Sequence, residues 1–198
     1  MKLEGVVLEP SREKPETSRS VEAKVIEASL GEKDIIVSLP ENIEELTSRG
    51  YGTSKNKKLV LTFCETLFLV GKEIIAVKDL KNRKKIDFQQ LLSRYQMLDE
   101  NAWAKYLIYR DLRSRGYVAR DGFGLGIDFR VYERGEYGTA TAKNLVLGIQ
   151  EGQPVSMEDL IRALKNAHSL KKELVLAVLN RRGEVVYYSL SKLTMSEK

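Results

Sequence analysis

The stretch YLIYRDLRSRGYVARDGFGLGIDFRVYERG, residues 106–135, decides the fold, because the hydrophobic period changes within it. Trp103, Leu107, Ile108 and Leu112 recur at helical spacing, and Gly116 stands where that helix would end. Beyond the glycine the period shortens, and 117–119 and 127–132 read as strands on either side of GFGLGID. Three close glycines invite comparison with a dinucleotide-binding loop. Such a loop leads into a helix, whereas this one follows a turn and enters a strand, so turn geometry explains it better.

Working toward the C-terminus, 144–149 reads as a strand, and Ser156 with Asp159 resembles a capping box opening a helix that runs to about residue 167. ELVLAVL and EVVYYSL follow as two β-rich segments around Arg182-Gly183, the pattern of a hairpin. Working toward the N-terminus, Asp99 can cap the long helix, and 87–96 forms a shorter one with Phe88, Leu91, Leu92 and Tyr95 on its apolar face. Before it come a strand (EIIAVKDL), a short helix (CETLFLVGK), a strand (KKLVLTF) and a helix opened by Pro40 and stopped by Gly50. VEAKVIEASLGEKDIIVSL reads as a hairpin turning at Gly31. The first twenty residues, ending PSREKPETSRS, show no apolar period and read as a mobile arm. The expectation is therefore an α+β protein of two small mixed domains: an arm over 1–20, an N-terminal unit over 21–98, and a C-terminal mixed sheet flanked by helices over 99–198.

Composition limits the alternatives. With 198 residues, 42% hydrophobic and 31% charged, the chain can bury a core as an ordinary globular protein. A net charge of +5 is a mild bias toward polyanionic partners. The single Cys64 permits no intrachain disulfide, and it sits among Phe63, Leu67 and Phe68 as a core thiol would. Apolar runs are too short for a membrane span, and the N-terminus lacks the apolar core of a signal peptide, so the cytoplasm is the expected location. No zinc-site spacing is present. Asp128 suggests a magnesium-dependent nuclease, but the following NLVLGI offers no Glu-x-Lys partner, and no cofactor or metal is expected.

Residues 106–135, together with the downstream NAHSLKKELVLAVLN, resemble the catalytic domain of the archaeal tRNA-splicing endonuclease (tRNA-intron lyase) family. RGYGTSKNKKLVLTFCETLFLV more loosely resembles that family's N-terminal domain. The resemblance implies a restriction-endonuclease-like C-terminal domain, precursor tRNA as partner, and metal-free cleavage leaving a 2′,3′-cyclic phosphate and a 5′-hydroxyl. That chemistry needs a base for the attacking 2′-hydroxyl, an acid for the leaving 5′-oxygen and a cation beside the phosphate, which the family assigns to Tyr, His and Lys. Tyr132 in DFRVYERG matches the Tyr; the bare alternative is a strand-end aromatic packing on its neighbour. Lys172 in AHSLKK matches the Lys, with Lys171 beside it as a one-residue ambiguity.

The His has no match. Aligning Leu145 and Val146 with the LV that follows the family's His puts Thr141 in its place, and a threonine hydroxyl does not titrate near neutral pH. The chain's one histidine, His168, matches a noncatalytic helix-end position. Where the family often carries arginines for stacking on bases, this chain has Lys165 and Lys171, which supply charge without a flat surface. Arg130 and Arg134 are further RNA-facing candidates, or simply a solvated surface. The hairpin that is frequently acidic in the family, and docks into another subunit there, carries Arg181 and Arg182 here. Three expectations follow: a noncatalytic, RNA-positioning subunit of a heterotetramer with a catalytic partner; an active lyase whose acid comes from elsewhere; or a standalone module binding structured RNA. The first is taken as the leading one, with EVVYYSL suited to edge-to-edge pairing.

Overall fold

The computed structural model describes residues 25–191 apart from 33, 123 and 125, so the expected arm lies outside the described residues. The first sheet contains β1 (Ile26–Leu30), β2 (Ile35–Val37), β3 (Thr53–Lys55), β4 (Lys58–Leu61), β5 (Ile75–Asp79) and β6 (Lys85–Ile86) in the order β3-β4-β2-β1-β5-β6. Only the β1–β5 pair is parallel. The helices α1 (Pro40–Ser48), α2 (Phe63–Gly71) and α3 (Phe88–Gln96) belong to this half. The second half runs α4 (Ala102–Ser114), β7 (Val118–Asp121), β8 (Phe129–Tyr132), β9 (Asn144–Gln150), α5 (Met157–Ser169), β10 (Glu173–Leu179) and β11 (Val185–Leu190). Its strands order as β11-β10-β9-β8-β7, with β9 and β10 parallel because α5 crosses between them. The α+β expectation therefore holds: two mixed sheets with five helices among the described residues.

Local chemistry explains the helix starts. Thr62 and Asp87 each accept a hydrogen bond from the backbone N–H three residues on, and Glu65 and Gln90 bond back to the cap residue, forming two complete capping boxes. Pro40 occupies the first turn of α1, where its missing N–H costs nothing. Asp99 departs from the expected cap. Asn101 is the residue before α4, and Asp99 instead accepts from the Asn101 backbone N–H at 2.9 Å and holds Lys105 at 2.7 Å.

Three further differences have simple causes. The β3 and β6 strands, three and two residues long, are too short to leave a period in the sequence. Helix α5 continues two residues past the expected end because Ser169 still fits the helix before Lys171 turns left-handed at φ +54°. Trp103, expected on the apolar face of α4, is 42% exposed and leans against Tyr106, with ring centroids 5.6 Å apart.

One apolar core serves both sheets. Tyr109, Ile108 and Leu112 of α4 belong to one buried cluster with Val37, Leu59 and Val77 of the first sheet and Phe129, Val131 and Ala177 of the second. Helix α4 meets the first half through α2 and α3, and the Tyr109 ring lies between Phe68 of α2 and Phe129 of β8. A smaller cluster lies under α5, where Ala163 and Ala167 meet Leu145, Leu174 and Ile127. Both central strands of the second sheet are thus covered on two faces, as parallel pairing requires. The halves are also joined by polar contacts. Arg120 on β7 donates to the Glu65 carboxylate at 2.8 Å, to the Gly50 carbonyl at 3.2 Å and to the Thr53 hydroxyl at 2.9 Å. Gly50 lies at this joint with φ +76°, and a Cβ there would sit 2.5 Å from Val118 and 3.3 Å from Tyr137.

Candidate functional site

Tyr132 is the last residue of β8, and its position follows from the strand's alternation. Phe129 and Val131 are buried while Arg130 and Tyr132 are half-buried on the opposite face. The Tyr132 ring meets Tyr137 edge to face, with centroids 5.1 Å apart at 87°. Tyr137 in turn lies against the backbone at Gly50. Register then places the lysine. Val131 pairs with Asn144, and Asn144 with Glu173, so the next step outward across three strands brings Tyr132, Lys143 and Lys172 into line at one end of the sheet. Two strand spacings separate Tyr132 from Lys172, roughly 10 Å between backbones.

Lys172, half-buried between α5 and β10, donates from Nζ to the Ala142 carbonyl. Thr141 is the exposed residue immediately before that carbonyl. The structure therefore brings Tyr132, Thr141 and Lys172 to one sheet end, while Lys171, with its left-handed backbone, is exposed beside them. Lys143 pairs with Glu136 at 3.0 Å and Glu133 at 3.8 Å, and Glu136 foremost raises its pKa.

The other candidates are more scattered. Arg130 donates from Nε to the Asp121 carbonyl at 2.8 Å, which ties its head toward β7. Arg134 is exposed in the loop after β8, near Gly116. Lys165 and His168 are exposed on α5, away from the buried Ala163 and Ala167. Among the described residues, no hydrogen bond or ion pair joins Arg134, Lys165 or His168 to Tyr132 or Lys172. Arg181 and Arg182 are exposed in the β10–β11 turn, where Arg181 lies 3.9 Å from Glu151.

Asp128 is occupied by protein partners. Its carboxylate accepts from Gly148 N–H at 2.7 Å and pairs with Lys105 at 3.1 Å. Burial lowers the Lys105 pKa, but Asp128 and Asp99 outweigh it and leave the ammonium favoured. Among the described residues, no group of three or more His, Cys, Asp or Glu is arranged to hold a metal ion.

Sequence reasoning missed Tyr137, the Ala142 carbonyl and the Gly50 joint. The GEYG segment carrying Tyr137 reads only as a turn, and a carbonyl acceptor leaves no trace in side-chain identity.

This is an α+β protein with a tyrosine and a lysine set across the end of its second sheet, and comparison with known proteins places it further. The family model described as "tRNA intron endonuclease, catalytic C-terminal domain" matches residues 102–187, and "tRNA intron endonuclease, N-terminal domain" matches 26–92. Curated relatives named "tRNA-splicing endonuclease" come from Methanococcus vannielii and Methanococcus maripaludis, 35% and 36% identical over 172 residues. Each match covers 87% of this chain and 97% of the relative. A relative of the same name from Pyrococcus furiosus is 36% identical over 141 residues, 71% of this chain and 80% of its own length. The chain belongs to the tRNA intron endonuclease family.

Proposed function

We propose that this chain is a subunit of the tRNA-splicing endonuclease acting on intron-containing precursor tRNA, and that it is the noncatalytic, RNA-positioning subunit of a heterotetramer. Family membership supports the first part. The observation that carries the second is the environment of the Ala142 carbonyl: Lys172 reaches it, Tyr132 stands on the neighbouring strand, and the exposed residue beside it is Thr141, which cannot deliver a proton to a leaving oxygen. A site built from this chain alone has a candidate base and a candidate cation but no matched acid.

The edge of the second sheet supports assembly. Among the described residues β11 pairs only with β10, and Val186 and Tyr188 on it are 44% and 55% exposed. An edge of this kind invites pairing with another chain. The division of labour proposed is a unit over 21–98 and an RNA-facing unit over 99–198, with Arg130, Arg134, Lys165 and Lys171 presenting charge to phosphates. Among the described residues no helix is long and apolar enough to cross a membrane, and a cytoplasmic location accords with tRNA as substrate.

A specific observation favours a second reading. Tyr132 and Lys172 lie at one sheet end, and the Methanococcus relatives match over nearly their whole length; on this reading the chain is itself a lyase with a substituted acid. Cleavage of a bulge-containing precursor tRNA, by this chain alone and mixed with a catalytic family subunit from the same source, separates the two. Products with cyclic-phosphate ends only in the mixture, unaffected by Tyr132→Phe here, establish the structural subunit. Efficient cleavage by the chain alone, lost with Tyr132→Phe, establishes the lyase.

A further inference from the structure

Lys55, Lys57 and Lys58 crowd the turn between β3 and β4, at one edge of the first sheet. All three are exposed, and among the described residues none has an ion-pair partner or a side-chain hydrogen bond. Asn56 and Lys57 form the two-residue tip with φ of +51° and +59°, the geometry of a type I′ hairpin turn. Asparagine tolerates that region, but the second position favours glycine, and a lysine there holds a less stable backbone while projecting its ammonium from the tip. A cation sits where a smaller residue would fold more easily.

The hairpin is also continuous with the Tyr132 site. The Tyr132 ring meets Tyr137, Tyr137 lies against Gly50, and Arg120 ties the Gly50 carbonyl to the Thr53 hydroxyl at the start of β3. At 3.2–3.4 Å per residue, β3 carries Lys55, and Lys58 paired opposite it, roughly 7 Å beyond Thr53, with Lys57 at the tip beyond them. The opposite edge of the same sheet offers a natural comparison. There Arg83, Lys84 and Lys85 are equally exposed, but the sheet order puts them four strands away from β4, at the far edge.

We propose that the β3–β4 hairpin is a second RNA-contacting element, gripping phosphates that flank the segment held at the Tyr132 site. The inference rests on the reading of this chain as an RNA-positioning subunit. It gives the first domain a direct part in RNA binding, and it makes the hairpin's lysines backbone contacts that position RNA without reading its sequence.

The test compares two charge-matched triple variants of the full chain, Lys55→Gln/Lys57→Gln/Lys58→Gln and Arg83→Gln/Lys84→Gln/Lys85→Gln. Affinity for a bulged precursor tRNA and for a plain duplex RNA of equal length is measured across a series of salt concentrations. Each phosphate contact contributes about 0.7–0.9 to the slope of log affinity against log salt. The hairpin variant should lose about 2 from that slope and weaken binding of the precursor about tenfold or more near 0.1 M salt, while the far-edge variant stays within about twofold of wild type. Lys57→Gly should weaken binding and raise the melting temperature together, which separates lost contact from lost structure. Equal losses in the two triple variants would reduce the effect to net charge, and an unchanged hairpin variant or a wild-type chain that binds neither RNA would overturn the proposal. If the wild-type chain binds both RNAs alike and never assembles with a catalytic subunit, the functional reading fails on its own, while the hairpin effect on the duplex still decides this one.

Discussion

The guanidinium of Arg120 on β7 lies 2.8 Å from the carboxylate of Glu65 on α2, and both side chains are almost fully buried. Glu65 also accepts the backbone N–H groups of Gly52 and Thr62, so one carboxylate organises the start of α2, the approach to β3 and the joint with the second sheet. Removing one partner strands the other's charge out of water. Arg120→Ala should lower stability by about 3–5 kcal/mol, and chemical denaturation of variant and wild type measures the loss.

Thr141 offers a gain-of-function test. If an absent acid is what keeps the chain from cutting RNA, Thr141→His places an imidazole beside the Ala142 carbonyl that Lys172 contacts. Cleavage of precursor tRNA by the purified chain should rise about a hundredfold or more over wild type and disappear again with Tyr132→Phe. An unchanged rate would show that the sheet end needs more than the acid.

Tyr109 is 1% exposed, and its hydroxyl has no hydrogen-bond partner among the described residues. A buried unpaired hydroxyl opposes folding, so Tyr109→Phe should leave stability unchanged or raise it by about 1 kcal/mol in urea titration. The ring contacts with Phe68 and Phe129 survive that change.

Burial pushes the Cys64 thiol up from 9.0 to about 12, while its contact with the Tyr95 hydroxyl at 3.6 Å pulls the other way. The folded state therefore keeps a proton that the unfolded chain releases near pH 8.5–9. Its stabilising effect is full below that range and is lost as pH rises toward 12. Native protein should resist thiol-alkylating reagents at pH 8, and Cys64→Ala should flatten the alkaline decline of the melting temperature. Rapid alkylation without unfolding would contradict this.

Much of this was legible in the sequence wherever a rule acts locally. The Gly116 stop, the Pro40 start and the Arg182-Gly183 hairpin all rest on residues within one turn of the feature they cause. The pairing of Tyr132 with Lys172 came from family resemblance, since forty residues separate them and only the β8–β9–β10 register brings them together. Asp99 misled because a capping side chain can equally bond two residues on, as it does with Asn101, and answer a lysine six residues along. The Glu65–Arg120 contact spans 55 positions between two ordinary surface residue types, and nothing in either neighbourhood announces that both are buried.

The core shared through α4 bears on how such a chain can be altered. Helix α4 packs on α2 and α3 of the first half and on the sheet of the second, so a cut between α3 and α4 would leave the first half's helices without their cover and the second half with an unanswered apolar helix face. Neither fragment should be obtainable as a folded piece, and grafting the second sheet of a relative onto this first sheet would require the donor's α4 to match both surfaces. Inheritance and exchange in this lineage would then act on the whole chain as one unit.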